Sequence, residues 1–123
     1  MPSNTNPSDD QAFTERDVSD LLKDYRILSQ EYDKILKISQ EILIELTKDK
    51  KDETRLSRFL DQKLEIGRNI EFLSSKIAKQ NIKISPSKKF LLNEAKGELE
   101  KIRSKVDELW NLERRIKKLT ENC

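Results

Sequence analysis

Histidine is absent from this chain, and its one cysteine, Cys123, is the last of 123 residues. Zinc and iron sites of the usual kinds need histidine or clustered cysteine, so neither a metal centre nor a cofactor is expected. A catalytic triad lacks its usual base. A di-metal carboxylate bundle needs a Glu-x-x-His motif, which Glu41 and Glu45, on one helix face, do not supply. Two glycines thirty residues apart make no phosphate-cradling loop. These absences argue against an enzyme. Cys123 is read as a free thiol, with an intermolecular bridge as the alternative, so no oxidising compartment is required. No apolar run approaches the roughly 20 residues that span a bilayer. The opening MPSNTNPSDDQ has neither the charged nor the apolar region of a secretory signal. A cytoplasmic protein is expected.

What is present points to helices. Only 34% of residues are hydrophobic while 39% are charged, and three prolines and two glycines leave little turn chemistry. Long amphipathic helices need only a narrow apolar stripe and suit such a composition. The net charge of +2 creates no global field toward nucleic acid or an anionic membrane.

Residues 1–16 are polar and carry Pro2 and Pro7, so they are expected to form a disordered tail. A short partner-binding motif around Phe13 is the alternative reading. From Asp17 or Ser19, either a suitable cap, Val18, Leu21, Tyr25, Leu28, Tyr32, Ile35, Ser39, Ile42 and Leu46 recur in steps of three and four. Leu22, Leu36 and Leu43 widen that stripe, as a bundle helix requires. The spacing predicts a helix over 17–48, then a polar connection at TKDKKDE, with one continuous bent helix as the alternative.

A second helix over 53–80 places Leu56, Phe59, Ile66, Ile70, Leu73 and Ile77 on one side, flanked by Leu60 and Leu64. Lys63 occupies a core slot, from which its ammonium can snorkel to solvent. Gly67 serves either close packing or nothing in particular. The stretch QNIKISPSKK breaks the pattern, with Ser85 and Pro86 suited to start a third helix over 86–120. Short connections make successive helices antiparallel. The expected fold is all-α: three long antiparallel helices, up-down-up, behind a disordered tail.

The third helix changes register near its end. Leu92, Ala95, Leu99, Ile102, Val106 and Leu109 keep the three-and-four rhythm, but the next slot holds Glu113. Apolar residues fall instead at Trp110, Leu112, Ile116 and Leu119. Such a drifting, widened face suits a helix that buries one side and offers another edge to a partner, and tryptophan often anchors interfaces. The candidate partner-binding residues are therefore Leu109, Trp110, Leu112, Ile116 and Leu119, although Trp110 fits plain core as well.

Residues 86–119 hold ten Lys or Arg against six Asp or Glu, a local +4. The Arg114, Arg115, Lys117 and Lys118 cluster suits a helix C-terminus, and Glu113 stands four residues before Lys117. Neither nucleic-acid binding nor membrane insertion is favoured.

Three segments carry a family resemblance: LLKDYRILSQEYDKILKISQEILIEL (21–46), FLDQKLEIGRNIEFL (59–73) and KVDELWNLERRI (105–116), the last with Asn111 after an acidic-apolar run. Over residues 18–119 the chain resembles the cytoplasmic chaperones of flagellar type III export, the FlgN/FliT type. Lys63 stands where that pattern has Arg, and the polar tail lies outside it. The resemblance implies a non-enzymatic chaperone that holds a helical terminal segment of a hook-associated or filament-cap protein before export. Such recognition lays an amphipathic helix into an apolar groove. The alternative is a self-associating structural or scaffolding coiled-coil protein.

Overall fold

The computed structural model describes residues 15–82 and 93–121. Those residues form three helices: α1 (Glu15–Leu46), α2 (Glu53–Ile82) and α3 (Asn93–Glu121). Of the tail expected over 1–16, residues up to 14 lie outside the described residues, as do the Ser85–Pro86 start of the third helix and Cys123, whereas Glu15 and Arg16 belong to α1 instead of the tail. The expected connection after the first helix is real, at 47–52.

That turn contains neither glycine nor proline and is built from side chains. The last carbonyls of α1 accept from Thr47, whose amide reaches Leu43 and Ile44 and whose Oγ1 donates to the Ile44 carbonyl at 2.7 Å. Asp52 caps α2, its Oδ1 accepting the Arg55 amide at 3.1 Å, so a free N–H of the first turn is satisfied. Glu45 joins the two ends. Its Oε2 accepts the Asp52 amide at 3.1 Å while its Oε1 takes the Lys48 ammonium at 3.0 Å. The Asp52 N–H, and after it Lys48, hold the Glu45 carboxyl below its ordinary value.

Ion pairs and hydrogen bonds fix the helix directions. Asp24 meets Lys76 and Glu31 meets Asn69, so α2 descends along α1. Arg26 meets Glu98, and Lys105 meets Ser29 and Asp33, so α3 rises with α1. The bundle is up-down-up. Lys34, bonded at 2.7 Å, holds the Glu31 carboxyl below its usual value, with Asn69 assisting against the opposing cost of burial.

The core is centred on α1. Leu21, Leu22, Tyr25 and Leu28 are buried with Leu73 and Ile77 of α2 and with Ala95 and Ile102 of α3. A second cluster joins Leu36 and Leu43 of α1 to Leu112, with Leu109, Ile116 and Leu119 packed against it. Burying each leucine or isoleucine side chain among them contributes roughly 1.5–3 kcal/mol. Because α1 has two apolar rows, each of the other helices packs on one of them. Consequently α2 and α3 both lie on α1 and touch each other only marginally. That asymmetry opens a groove.

Candidate protein-binding groove

The groove runs between α2 and α3, above α1. Its position follows from the two polar residues that interrupt the apolar stripes. Lys63 of α2 and Glu113 of α3 form an ion pair across the gap. By the register of the flanking contacts, both stand level with the Ser39 turn of α1. Beneath them Ser39 is 0% exposed, and its Oγ has no hydrogen-bond partner. At about 100° per residue, Leu60 and Leu64 lie roughly 60° and 100° round α2 from Lys63, away from α1. Trp110 lies about 60° beyond Glu113 on α3, in the corresponding sense. The two walls of the groove are therefore Leu60 and Leu64 on one side and Trp110 on the other.

All three are exposed: Leu60 by 53%, Leu64 by 58% and Trp110 by 63%. On the α2 side, Ile35 of α1 supplies the floor of a hollow of about 510 Å³, with Lys63, Arg68 and Glu71 around Leu60 and Leu64. Gly67 deepens it, because a Cβ there would meet nothing within 4 Å. Close helix packing is thus not the reason for that glycine. On the α3 side, a hollow of about 400 Å³ is bounded by Trp110, Glu113, Ile116 and Lys117.

The five residues expected to bind a partner separate. Leu112 is buried, at 7% exposed, and Leu109, Ile116 and Leu119 pack with it against Leu36 and Leu43. Those four face α1, so the drift of apolar positions after Leu109 follows the second apolar row of α1. Trp110 alone remains outside, on the groove wall. Leu60 and Leu64 were legible only as flanks of the α2 stripe. The signal available was their surplus: a second apolar row on a helix whose first row already suffices to meet α1.

The expected Glu113–Lys117 pair is not formed. Glu113 turns to Lys63, and Lys117 approaches Glu121 at 3.8 Å. Lys63 does not snorkel freely, since its ammonium is held by that same carboxylate. Ile44 and Phe72 are exposed as well, and the Arg55 guanidinium sits 5.5 Å from the Phe59 ring centre. Arg114, Arg115 and Lys118 line a shallow hollow with Asn111. Among the described residues, no group of three or more metal-binding side chains gathers, and no helix is long and apolar enough to cross a membrane. No protein-family model, no curated protein and no solved structure matches this chain.

Proposed function

We propose that this chain is a non-enzymatic, cytoplasmic protein-binding chaperone that holds an amphipathic helix of a client in the groove between α2 and α3. The observation behind this reading is the juxtaposition of exposed Trp110 with exposed Leu60 and Leu64 across a gap that the bundle itself leaves open. Three helices packed as two on one occupy three corners of a four-helix arrangement, and a helix is the shape that fits the fourth. Large apolar side chains gathered on one open side are characteristic of interaction surfaces. The resemblance to flagellar export chaperones suggests the client class: the helical terminal segment of a hook-associated or filament-cap protein.

The test uses Trp110, the only tryptophan in the chain. Tryptophan-free peptides covering those terminal segments are titrated into the purified protein. A saturable blue shift of its emission that is lost in Leu64→Glu supports the reading. Emission unmoved by every peptide argues against it. A blue shift that grows with protein concentration alone supports the scaffolding alternative instead.

A further inference from the structure

We infer that the groove masks itself: until a client helix enters, a second copy of this chain covers it, face to face across a two-fold axis. The inference rests on the groove being a binding surface and adds what occupies it at rest. Both walls carry the same short pattern. Leu64 stands in DQKLEIGR (61–68) and Trp110 in DELWNLER (107–114), each with an aspartate three residues before it and an arginine four residues after. At about 100° per residue, both charges fall roughly 60° and 40° round the helix from the apolar residue, on its side away from α1. Asp61, Arg68, Asp107 and Arg114 are all exposed. None of the four forms an ion pair among the described residues, and Arg114 donates to the Asn111 side chain.

The levels of these charges along the bundle make the patch complementary to itself. Asp24 with Lys76 and Glu31 with Asn69 set the register of α2 on α1, and Arg26 with Glu98 and Asp33 with Lys105 set that of α3. Because α2 descends while α3 rises, Asp61 and Arg114 stand roughly level at one end of the site. Arg68 and Asp107 stand at the other end, about 10 Å along the bundle. Aspartate and arginine therefore alternate round its four corners. A two-fold interface uses the same patch twice. Turned face to face about an axis along the bundle or across it, each aspartate of one copy meets an arginine of the other. Either way every facing pair of helices runs antiparallel, as in a four-helix bundle. Four Asp–Arg pairs then rim a centre made of Leu60, Leu64 and Trp110 from both copies, the apolar core and polar rim of a protein interface. The other cations of the walls have acids of their own: Lys63 has Glu113, Arg103 has Glu100 and Lys117 lies near Glu121. Glu71 comes level with Arg58 of the second copy in one arrangement and with its Arg103 in the other, so it meets no like charge. The site is close to neutral as a whole and selects neither an acidic nor a basic helix. Its alternation selects its own copy.

The experiment uses two variants of the full chain, followed by sedimentation over a concentration series. Asp61→Arg with Asp107→Arg leaves only arginine at the four corners, and Arg68→Asp with Arg114→Asp leaves only aspartate. The wild type is expected to sediment as a pair at high concentration and to dissociate on dilution. Each variant alone is expected to pair at least about tenfold more weakly, because every corner then meets its own sign. Mixed one to one, the two variants are expected to recover the pairing of the wild type, and salt is expected to weaken the recovered pair. The circular dichroism of each variant should match the wild type, since all four side chains are exposed.

A wild type that stayed monomeric at every concentration would overturn the inference while leaving the groove as a client site. So would variants that self-associate as tightly as the wild type, or folded variants that fail to pair on mixing. Because self-association alone would speak for a scaffold, the wild-type pair is also titrated with the tryptophan-free terminal-segment peptides. A peptide that splits the pair as it binds supports the second copy as the resting cover and the client reading with it. A pair that the mixed variants reproduce but that no peptide splits would keep the two-fold pairing and overturn the client reading.

Discussion

Lys63 and Glu113 stand in slots where the stripes of α2 and α3 call for apolar residues, and each is the other's partner. Their pairing spans the place where the two helices otherwise scarcely meet. Glu113 is 40% exposed on its side chain, so solvent screens the attraction and limits its contribution. Glu113→Ala is expected to cost about 1 kcal/mol, chiefly by leaving the 19%-exposed Lys63 ammonium without a partner. Lys63→Leu with Glu113→Leu should match or exceed the wild type, because apolar packing commonly replaces a partly buried ion pair without loss. Urea midpoints of the two variants decide it. A double variant less stable than Glu113→Ala would give the ion pair a larger role than screening permits.

Ser39 lies at the same level and carries a buried hydroxyl without a partner. Leaving a hydroxyl unsatisfied costs about 1–3 kcal/mol, and alanine has the better helix propensity. Ser39→Ala is expected to raise stability by about 1 kcal/mol. A thermal midpoint that fell would show that this hydroxyl does find a bond in solution.

Gly67 and Gly97 sit inside helices where an added Cβ meets nothing within 4 Å. Their cost is therefore conformational, with no packing benefit to offset it. Gly67→Ala and Gly97→Ala should each stabilise by about 0.5–1 kcal/mol, and nearly additively, since they lie on different helices without shared partners. Chemical denaturation of the single and double variants measures this. A destabilised Gly97→Ala would mean that something covers that face in solution.

How much of this could be read from the sequence depends on what periodicity encodes. Three-and-four spacing identifies residues sharing a helix face, so the three helices and the α1 stripe from Leu21 to Leu46 were legible. Periodicity does not say how many neighbours a helix has. The α2 stripe predicted Leu60 and Leu64 as flanks of a covered face, whereas with α1 as the only close neighbour of α2 they are left open. Nor does it say which neighbour a residue meets. Leu112 breaks the earlier rhythm because it follows the Leu36–Leu43 row of α1, and that row's direction is set by tertiary packing. The joining of Lys63 to Glu113 required the register of all three helices at once.

The connection between α1 and α2 should give the fold a pH dependence of definite sign. Glu45 and Glu31 both have carboxyl groups held below the ordinary value of 4.5 in the folded chain. A depressed folded value contributes stability that is fully present above the unfolded value and lost as pH falls through it toward the folded one. Stability is therefore expected to decline as pH drops below about 4.5–5. Glu45→Gln should lower stability at pH 7 and flatten the acid limb. Asp52→Ala, which removes the α2 cap, should cost about 1 kcal/mol and leave the Glu45 contribution to that limb in place, because Glu45 binds the backbone amide at 52. Denaturant midpoints between pH 3 and pH 7 separate the two effects.

Trp110 and Leu112 are two residues apart and provide the sharpest contrast in the molecule. Leu112 fills the seam with Leu36 and Leu43, and its truncation leaves a cavity there, so Leu112→Ala is expected to cost about 2–4 kcal/mol. Trp110, mostly exposed on the groove wall, should change stability by no more than about 0.5 kcal/mol when replaced by alanine. Binding should show the opposite order. Trp110→Ala removes the largest apolar surface of the groove and should weaken a bound helix by about 2 kcal/mol, some thirtyfold. Leu112→Ala, examined below its melting temperature, should weaken it far less. Calorimetric titration of an amphipathic helix into both variants, beside their denaturation curves, tests the pair together. If Trp110→Ala proved strongly destabilising and Leu112→Ala benign, the helix would be turned the other way in solution. The four leucine and isoleucine side chains of the α1 seam would then be the free surface, and the groove would have lost its anchor.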